Sequence, residues 1–183
     1  SAVLCTATQP ALGPLFAEFL PGRPAVELCP PELCPPESFR RVCFRQAGRL
    51  DWDTLSGQLQ QHEQVLCVVN SRKSAQEIFT RLSGEGNFHL STLMYPAHRR
   101  AKLEEIRRRL REGLPCRVIS TSLIEAGVDV DFPAVFREEA GLDSILQAAG
   151  RCNREGKRPP EDSIVTIFQG EDPPPRLFET SIG

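Results

Sequence analysis

Strand-length apolar runs alternate with helical patterns from residue 39 onward, and this alternation limits the folds open to the chain. The runs predict strands over 39–46, 64–70, 88–94, 116–122, 134–138 and 163–168. The patterns between them predict helices over 52–61, 72–82 and 96–113 and from 143, with Asp51 and Ser71 as N-caps. The stretch 64–70, with five consecutive apolar residues at 65–69, is typical of a strand buried on both faces. We therefore predict an α/β fold: a doubly wound parallel sheet with right-handed crossovers.

The first 38 residues lack this alternation. Residues 1–10 predict one strand that ends in hydroxyl side chains, and residues 11–38 predict a proline-rich connector that opens with a short helix. Residues 170–183 predict a C-terminal linker, so the α/β domain spans 39–169. Because the chain begins at Ser1 and its only methionine is Met94, we expect it to be a piece of a longer protein.

Composition excludes several classes of protein. The formal net charge is −2, so a nucleic-acid site has to be a local patch of positive charge. The seven cysteines lie in apolar runs, which favours buried free thiols in a reducing cytoplasm over disulfides. Cysteine and histidine pairs at zinc spacing are absent from the sequence, so we expect no metal site. The sequence has no signal peptide and no membrane-length apolar run, so we expect no membrane partner.

Four groups of polar residues are expected beyond the carboxyl ends of strands, where open parallel sheets bind their ligands. They are Thr6–Thr8, Asn70–Arg72, Ser120–Asp129 and the arginines that follow the last helix. The sequence has no GxxxxGK[ST] phosphate loop and no run of carboxylates that could hold magnesium. We therefore expect this chain to complete a phosphate site that another domain holds.

The stretch QAAGRCNREG (147–156) carries the arginines of that site. Arg151 and Arg154, three residues apart, are predicted to share one helix face and to grip a polyphosphate bidentately. Gly150 would allow another backbone to approach, and Gln147 would position water or the terminal phosphate. The alternative is a solvated helix end whose arginines lie near the negative end of the dipole.

A second stretch, STSLIEAGVDVDFP (120–133), combines hydroxyl groups with acids in an apolar setting. Its hydroxyls and backbone N–H groups suit a nucleic-acid backbone. Asp129 could accept a ribose hydroxyl or orient an arginine of the phosphate site. The alternative is an ordinary turn between a strand and a helix, capped by Ser and Thr.

The helix over 96–113 is strongly basic, with seven Arg or Lys against three Glu in residues 99–112. Arg99 and Arg100 are candidates for phosphate contacts beside His98, whereas a solvated helix face is the alternative. Ion pairs are expected from Glu104 to Arg108 and from Glu105 to Arg109. We expect the two large aromatic residues Trp52 and Tyr95 to pack rather than to stack on bases.

Four stretches resemble motifs III to VI of superfamily 2 helicases in order and spacing: TAT (6–8), VVNSRKSAQEIFTRL (68–82), STSLIEAGVDVDFP and QAAGRCNREG. More narrowly, LCTATQPAL, LSTLMYPAHRR, GVDVDFP and AGLDSILQAAGRCNREG are similar to the CRISPR-associated helicase-nuclease of type I systems. The resemblance implies a RecA-like sheet with helices on both faces, as in P-loop NTPases but without the P-loop. Residues 39–169 would be the second RecA-like domain, and residues 1–10 the last strand of the first.

The resemblance also implies roles for individual residues. ATP and Mg²⁺ would be held mainly by the first RecA-like domain. Arg151, Arg154 and Gln147 would act on that ATP, and Gly127 and Asp129 would couple it to DNA. Contacts to the backbone of single-stranded DNA would come from Asn70, Ser71, Arg72, Thr121 and Ser122. Thr6 and Thr8 would link hydrolysis to domain motion.

The expected function is that of the C-terminal lobe of an ATP-dependent DNA translocase or helicase in prokaryotic, cytoplasmic CRISPR antiviral defence. Its partners would be single-stranded DNA, the first RecA-like domain, a nuclease domain of the same protein and an RNA-guided surveillance complex. Because this sequence has no phosphate loop, we expect no ATPase activity from the 183 residues alone. Another superfamily 2 RNA or DNA motor is the main alternative, and a non-enzymatic adaptor is a further one.

Overall fold

Six parallel strands form the centre of the domain. The structure, a computed structural model, describes residues 40–91, 93–124 and 128–171. Within these ranges the strands are β1 (Cys43–Arg49), β2 (Gln64–Val68), β3 (Asn87–Leu90), β4 (Cys116–Ser120), β5 (Ala134–Glu138) and β6 (Ile164–Gln169). Their order is β1-β6-β5-β2-β4-β3, and every neighbouring pair is parallel. The predicted parallel α/β sheet is confirmed.

Helices cover both faces of this sheet. They are α1 (Trp52–Gln60), α2 (Arg72–Arg81), α3 (Pro96–Glu112) and α4 (Leu142–Ala149). Leu59 of α1 and Ile78 of α2 pack in one apolar cluster, whereas Ile106 of α3 and Ala148 of α4 pack in the other. Since side chains along a strand alternate between faces, two separate cores are what a doubly wound sheet requires.

Local sequence explains where the helices begin and end. The Asp51 carboxylate accepts a hydrogen bond from the Thr54 N–H at 2.7 Å, and the Ser71 hydroxyl accepts one from the Ser74 N–H at 3.0 Å. Both predicted N-caps are confirmed. The longest helix, α3, starts at Pro96 and ends before Gly113, whose φ of 67° lies in the left-handed region.

The first strand lies later in the chain than predicted, over Cys43–Arg49 instead of 39–46. It is an edge strand with mostly exposed side chains, so it carries no buried apolar run to mark its limits. Its register with β6 shifts between Gln46 and Gly48, and Gly48 has a φ of 67°. This bulge lets pairing continue to Arg49, beyond the point at which the sequence pattern ends.

Acidic residues neutralise the second half of the basic helix α3. Arg108 pairs with Glu105 at 2.8 Å and also with Glu112, and Arg109 pairs with Glu105 at 2.7 Å. The predicted pair of Glu105 with Arg109 is confirmed. The predicted pair of Glu104 with Arg108 is wrong, because Glu105 and Glu112 occupy that guanidinium.

The described cysteines and aromatic residues divide between core and surface. Cys67, Cys116 and Cys152 are buried free thiols, as predicted. Trp52 is only 4% exposed and packs in the core, whereas Tyr95 is 81% exposed, so the expectation that Tyr95 packs is wrong for the residues described. None of the helices in the described ranges is long and apolar enough to cross a membrane.

Several sequence-based predictions fall on residues outside the described ranges. They concern the strand over 1–10, the connector over 11–38, most of the linker over 170–183, and the candidate residues Thr6, Thr8 and Gly127. The limits proposed for the domains stay predictions.

Candidate functional site

The two predicted arginines lie at the amino end of β5, not beyond the carboxyl ends of the strands. Helix α4 starts after β5 and returns the chain to the opposite end of the sheet. Phe132, two residues before β5, bridges to Cys152, and its N–H donates to the Arg151 carbonyl at 2.8 Å. The predicted location is therefore wrong, because a crossover helix runs antiparallel to the strands it connects.

The same arginines lie in a loop beyond α4. The helix ends at Ala149, with Gly150 as its C-cap, and Asn153 has a φ of 47°. The prediction that Arg151 and Arg154 share a helix face is therefore wrong. We call residues 150–158 the arginine loop. Gln147 is exposed in the last turn of α4, immediately before this loop.

Arg154 pairs with Asp129, the acid that was expected from the sequence to orient an arginine of the phosphate site. Its Nε donates to Asp129 Oδ1 at 2.9 Å, and the two side chains are 43% and 79% exposed. The Asp129 backbone is itself held, because Arg107 Nε of α3 donates to its carbonyl at 3.0 Å. An exposed ion pair of this kind contributes little to stability, so an incoming anion can take over the guanidinium.

Arg151 has a different environment. It is 9% exposed, and its Nε donates to the carbonyl of Ile124, in the turn after β4, at 3.1 Å. The buried side chain therefore ties the arginine loop to the stretch that resembles motif V. Of the two arginines, Arg154 is the one whose charged group is open to solvent.

Asp131 fastens the arginine loop to the start of β5. Its carboxylate accepts from the Arg154 N–H at 2.7 Å and from Arg158 Nη1 at 3.2 Å. Neither Asp131 nor Arg158 was among the predicted site residues. Asp131 lies 23 residues before Arg154 and 27 before Arg158, so the sequence does not indicate these contacts.

The side chain of Asn153 also holds the arginine loop in place, and it was not among the residues predicted from the sequence. The side chain is 1% exposed, and its Nδ2 donates to the carbonyls of Arg41 at 2.9 Å and Arg158 at 2.7 Å. Its Oδ1 accepts from the Arg158 N–H at 3.0 Å. An asparagine shortly after a helix end was the available signal, because Asn tolerates the left-handed region better than most residues.

At the opposite end of the sheet, the predicted DNA contact Asn70 is occupied by protein groups. Its Oδ1 accepts from Arg137 Nη1 at 2.8 Å, and its Nδ2 donates to the Glu139 carbonyl at 2.8 Å. Its backbone N–H donates to Glu138 Oε2 at 2.6 Å. Asn70 therefore shapes the turn after β2. The buried residues Arg137 and Glu138, which the sequence analysis did not single out, support that turn.

The other candidates at this carboxyl edge differ in accessibility. Ser71 uses its hydroxyl to cap α2, and Thr121 is buried. Arg72, Ser122 and Arg100 are exposed, and Arg99 is partly buried. Because β2, β4 and β3 are consecutive in the sheet, these residues follow one another along a single edge.

Two observations limit the chemistry at the arginine loop. Burial raises the pKa of the Cys152 thiol to about 12, and its Sγ donates to the Pro133 carbonyl at 3.5 Å, so this cysteine is no nucleophile at neutral pH. Within residues 40–91, 93–124 and 128–171, no group of three His, Cys, Asp or Glu side chains could hold a metal ion. Asp129 and Asp131 pair with Arg154 and Arg158 instead, and Glu155 pairs with Lys157.

Two curated relatives share sequence with parts of the chain. A CRISPR-associated nuclease/helicase Cas3 from Haloferax volcanii is 48% identical over 60 residues, which are 33% of this chain and 6% of that protein. One of the same name from Methanothermobacter thermautotrophicus is 30% identical over 111 residues, which are 59% of this chain and 13% of that protein. The chain therefore matches only a small part of the length of these relatives.

Solved structures show the same fold. The crystal structure of T. fusca Cas3-ATP matches 77% of this chain and 20% of that one, with a TM-score of 0.59 and 17% identity. Mycobacterium smegmatis helicase Lhr bound to ssDNA and AMP-PNP matches 70% of this chain and 20% of that one, with a TM-score of 0.52 and 19% identity. The model of a family described as CRISPR-associated nuclease/helicase Cas3, C-terminal, matches residues 61–157. Since the match covers more than half of the 183 residues, the chain belongs to this family.

Proposed function

We propose that the chain is the C-terminal RecA-like lobe of an ATP-dependent single-stranded DNA translocase or helicase. The full protein would act in CRISPR antiviral defence in the cytoplasm of a prokaryote. The contact between Arg154 and Asp129 carries this proposal. It joins the stretch that resembles motif V to the one that resembles motif VI and leaves the guanidinium exposed.

Arg154 is the proposed arginine finger. Negative charge grows on the oxygens of the terminal phosphoryl group as the bond to the leaving phosphate breaks, and a guanidinium there stabilises that charge. Such a finger accelerates phosphoryl transfer by roughly 10³–10⁵-fold. Asp129 would hold Arg154 ready until the nucleotide arrives. Buried Arg151 would keep the loop in place, and Gln147 would position the attacking water.

The nucleotide and Mg²⁺ would be held mainly by the first RecA-like domain of the same protein. Asp129 and Asp131, which contact the arginine loop, are engaged by Arg154 and Arg158, and no group of three possible ligands for a metal lies in the described residues. The metal's chemistry would be to neutralise the phosphates. The ATP in the name of the T. fusca structure supports nucleotide binding by a related protein.

Single-stranded DNA would cross the carboxyl edge of the sheet. Arg72, Ser122 and Arg100 would contact its phosphates, since all three are exposed there. Asn70 and Ser71 would act indirectly, by fixing the turn that presents Arg72. The ssDNA bound to the mycobacterial helicase supports this partner. A nuclease domain of the same protein and an RNA-guided surveillance complex are the further partners we propose.

Replacing the finger tests the proposal. In the full-length protein, Arg154→Ala should lower kcat for ATP by roughly 10³-fold or more, while affinity for single-stranded DNA stays within about twofold. The control is Arg111→Ala, which removes an exposed arginine near the end of α3. It should leave kcat for ATP and affinity for single-stranded DNA unchanged. An unchanged kcat in Arg154→Ala would remove the finger assignment. Stimulation of the wild type by RNA but not by DNA would favour the alternative, an RNA motor.

A further inference from the structure

The turn after β3 carries two apolar side chains that the described residues leave uncovered. Leu93 is 76% exposed, and Tyr95, immediately before α3, is 81% exposed. By contrast, Leu90 is buried, and Phe88 and Met94 are partly buried against the core. An aromatic ring held in water beside charged groups is a feature of surfaces that bind nucleic-acid bases.

Strand register places Tyr95 at the edge proposed for DNA. Leu90 of β3 pairs with Ser120 of β4, so Ser91 lies beside Thr121. The Leu93 N–H donates to Ser91 Oγ at 3.3 Å, and the Met94 N–H donates to the Ser91 carbonyl at 3.1 Å. These two hydrogen bonds hold the turn against the end of the strand. Tyr95 therefore continues the row formed by the residues after β2 and β4.

Among the described residues, no carboxylate pairs with the first two arginines that follow Tyr95 in α3. The first turn of α3 has no acidic residue. Arg99 and Arg100 make no side-chain ion pair within the described parts of the chain, whereas Arg108 and Arg109, farther along the same helix, pair with Glu105. The arginines that could meet a phosphate are thus those near the start of the helix that begins directly after the exposed ring.

From these observations we infer that Tyr95 forms a base-stacking subsite for single-stranded DNA, with Arg99 and Arg100 contacting the adjacent phosphates. The subsite rests on the proposed function and extends the DNA track from β2 and β4 to the outer strand β3. Every base has an aromatic face, so the subsite would accept any sequence. Loss of one such stack weakens binding by about tenfold.

An abasic oligonucleotide separates stacking from every other role of Tyr95. Affinity is measured by fluorescence anisotropy on the full-length protein, with labelled oligothymidine and with an abasic strand of equal length. Tyr95→Ala should lose about tenfold on oligothymidine but less than twofold on the abasic strand. Tyr95→Phe should bind both strands like the wild type. Equal losses of Tyr95→Ala on the two strands would overturn the subsite, as would unchanged binding to oligothymidine.

Two further readouts keep the outcomes distinct. Phe44→Ala, which removes an exposed ring on β1 at the opposite edge of the sheet, should leave affinity for both strands unchanged. If Tyr95→Ala lowers the melting temperature but not the affinity for DNA, the ring packs on another domain and the subsite is wrong. If the wild type itself fails to bind oligothymidine, the proposed function fails with it.

Discussion

At the scale of single residues, Asn153 connects the conformation of the arginine loop to its chemistry. Its φ of 47° turns the chain between Arg151 and Arg154, and its side chain makes three hydrogen bonds to Arg41 and Arg158. Nothing in the spacing of the arginines indicated this turn. The sequence placed the arginines in the correct stretch but on a helix, because the contacts of Asn153 and Asp131 that fix the loop cannot be read from the spacing of the arginines.

Asn153 should act as a positioning residue for Arg154. Asn153→Gly keeps the left-handed backbone accessible but removes the three side-chain hydrogen bonds, each worth about 1 kcal/mol. In the full-length protein we expect kcat for ATP to fall at least tenfold, with KM changed less and affinity for DNA unchanged. Steady-state kinetics and anisotropy measure these values. Loss of ATP turnover and DNA binding together would show a general folding defect instead.

At the scale of elements, buried strands and capped helices could be predicted from the sequence, whereas the exposed edge strand could not. The stretch 64–70 has a continuous apolar centre at 65–69, and it predicted β2 within two residues. Asp51 and Ser71 marked the starts of α1 and α2. By contrast, β1 lies at an edge, exposes most of its side chains and contains a bulge. Such a strand is defined by its partner β6, 121 residues away in the chain, rather than by its own pattern.

The ion pairs of α3 should make stability depend on pH. Hydrogen bonds from Arg108 and Arg109 lower the pKa of Glu105 from 4.5 to about 2. The carboxylate therefore stabilises the folded chain above its unfolded pKa of 4.5, and this contribution is lost as the pH falls toward 2.

Glu105→Gln should consequently lower the urea midpoint of the chain at pH 7, and its difference from the wild type should shrink between about pH 5 and pH 2. Glu104→Gln is the matched control, since Glu104 is exposed and adjacent on the same helix. A difference between Glu105→Gln and the wild type that stays constant with pH would contradict the assignment of these ion pairs.

Two neighbouring glycines before β3 should differ in their tolerance of a side chain. Both Gly84 and Gly86 have a φ of 81°, so alanine at either position costs about 1–2 kcal/mol of backbone strain. A Cβ on Gly86 would also lie 2.1 Å from the Pro115 carbonyl oxygen, whereas a Cβ on Gly84 would meet nothing within 4 Å.

Gly86→Ala should therefore destabilise the chain by about 1–3 kcal/mol more than Gly84→Ala. Urea denaturation of the two variants measures the difference. Equal free energies of unfolding would mean that the approach of β3 to the segment before β4 is looser than the structure has it.

At the scale of the whole domain, two candidate sites lie at opposite ends of the sheet. The arginine loop lies at the amino end of β5, and the DNA edge lies at the carboxyl ends of β2, β4 and β3. Buried Thr121 follows β4 at the DNA edge, and Asp131, which contacts the arginine loop, precedes β5. From the sequence, both sites were predicted at one end of the sheet, because the direction of α4 follows from the topology and not from the spacing of motifs.

Chemical rescue tests the central claim that Arg154 supplies a guanidinium to a nucleotide held by another lobe. ATP turnover of full-length Arg154→Ala should rise when free guanidinium is added, since the ion can occupy the space that the side chain leaves. Guanidinium should not raise the ATP turnover of the wild type or of Arg151→Ala, because the Arg154 side chain still occupies that space in both proteins. A variant that guanidinium does not rescue, or a rescue equal in all three proteins, would contradict the account.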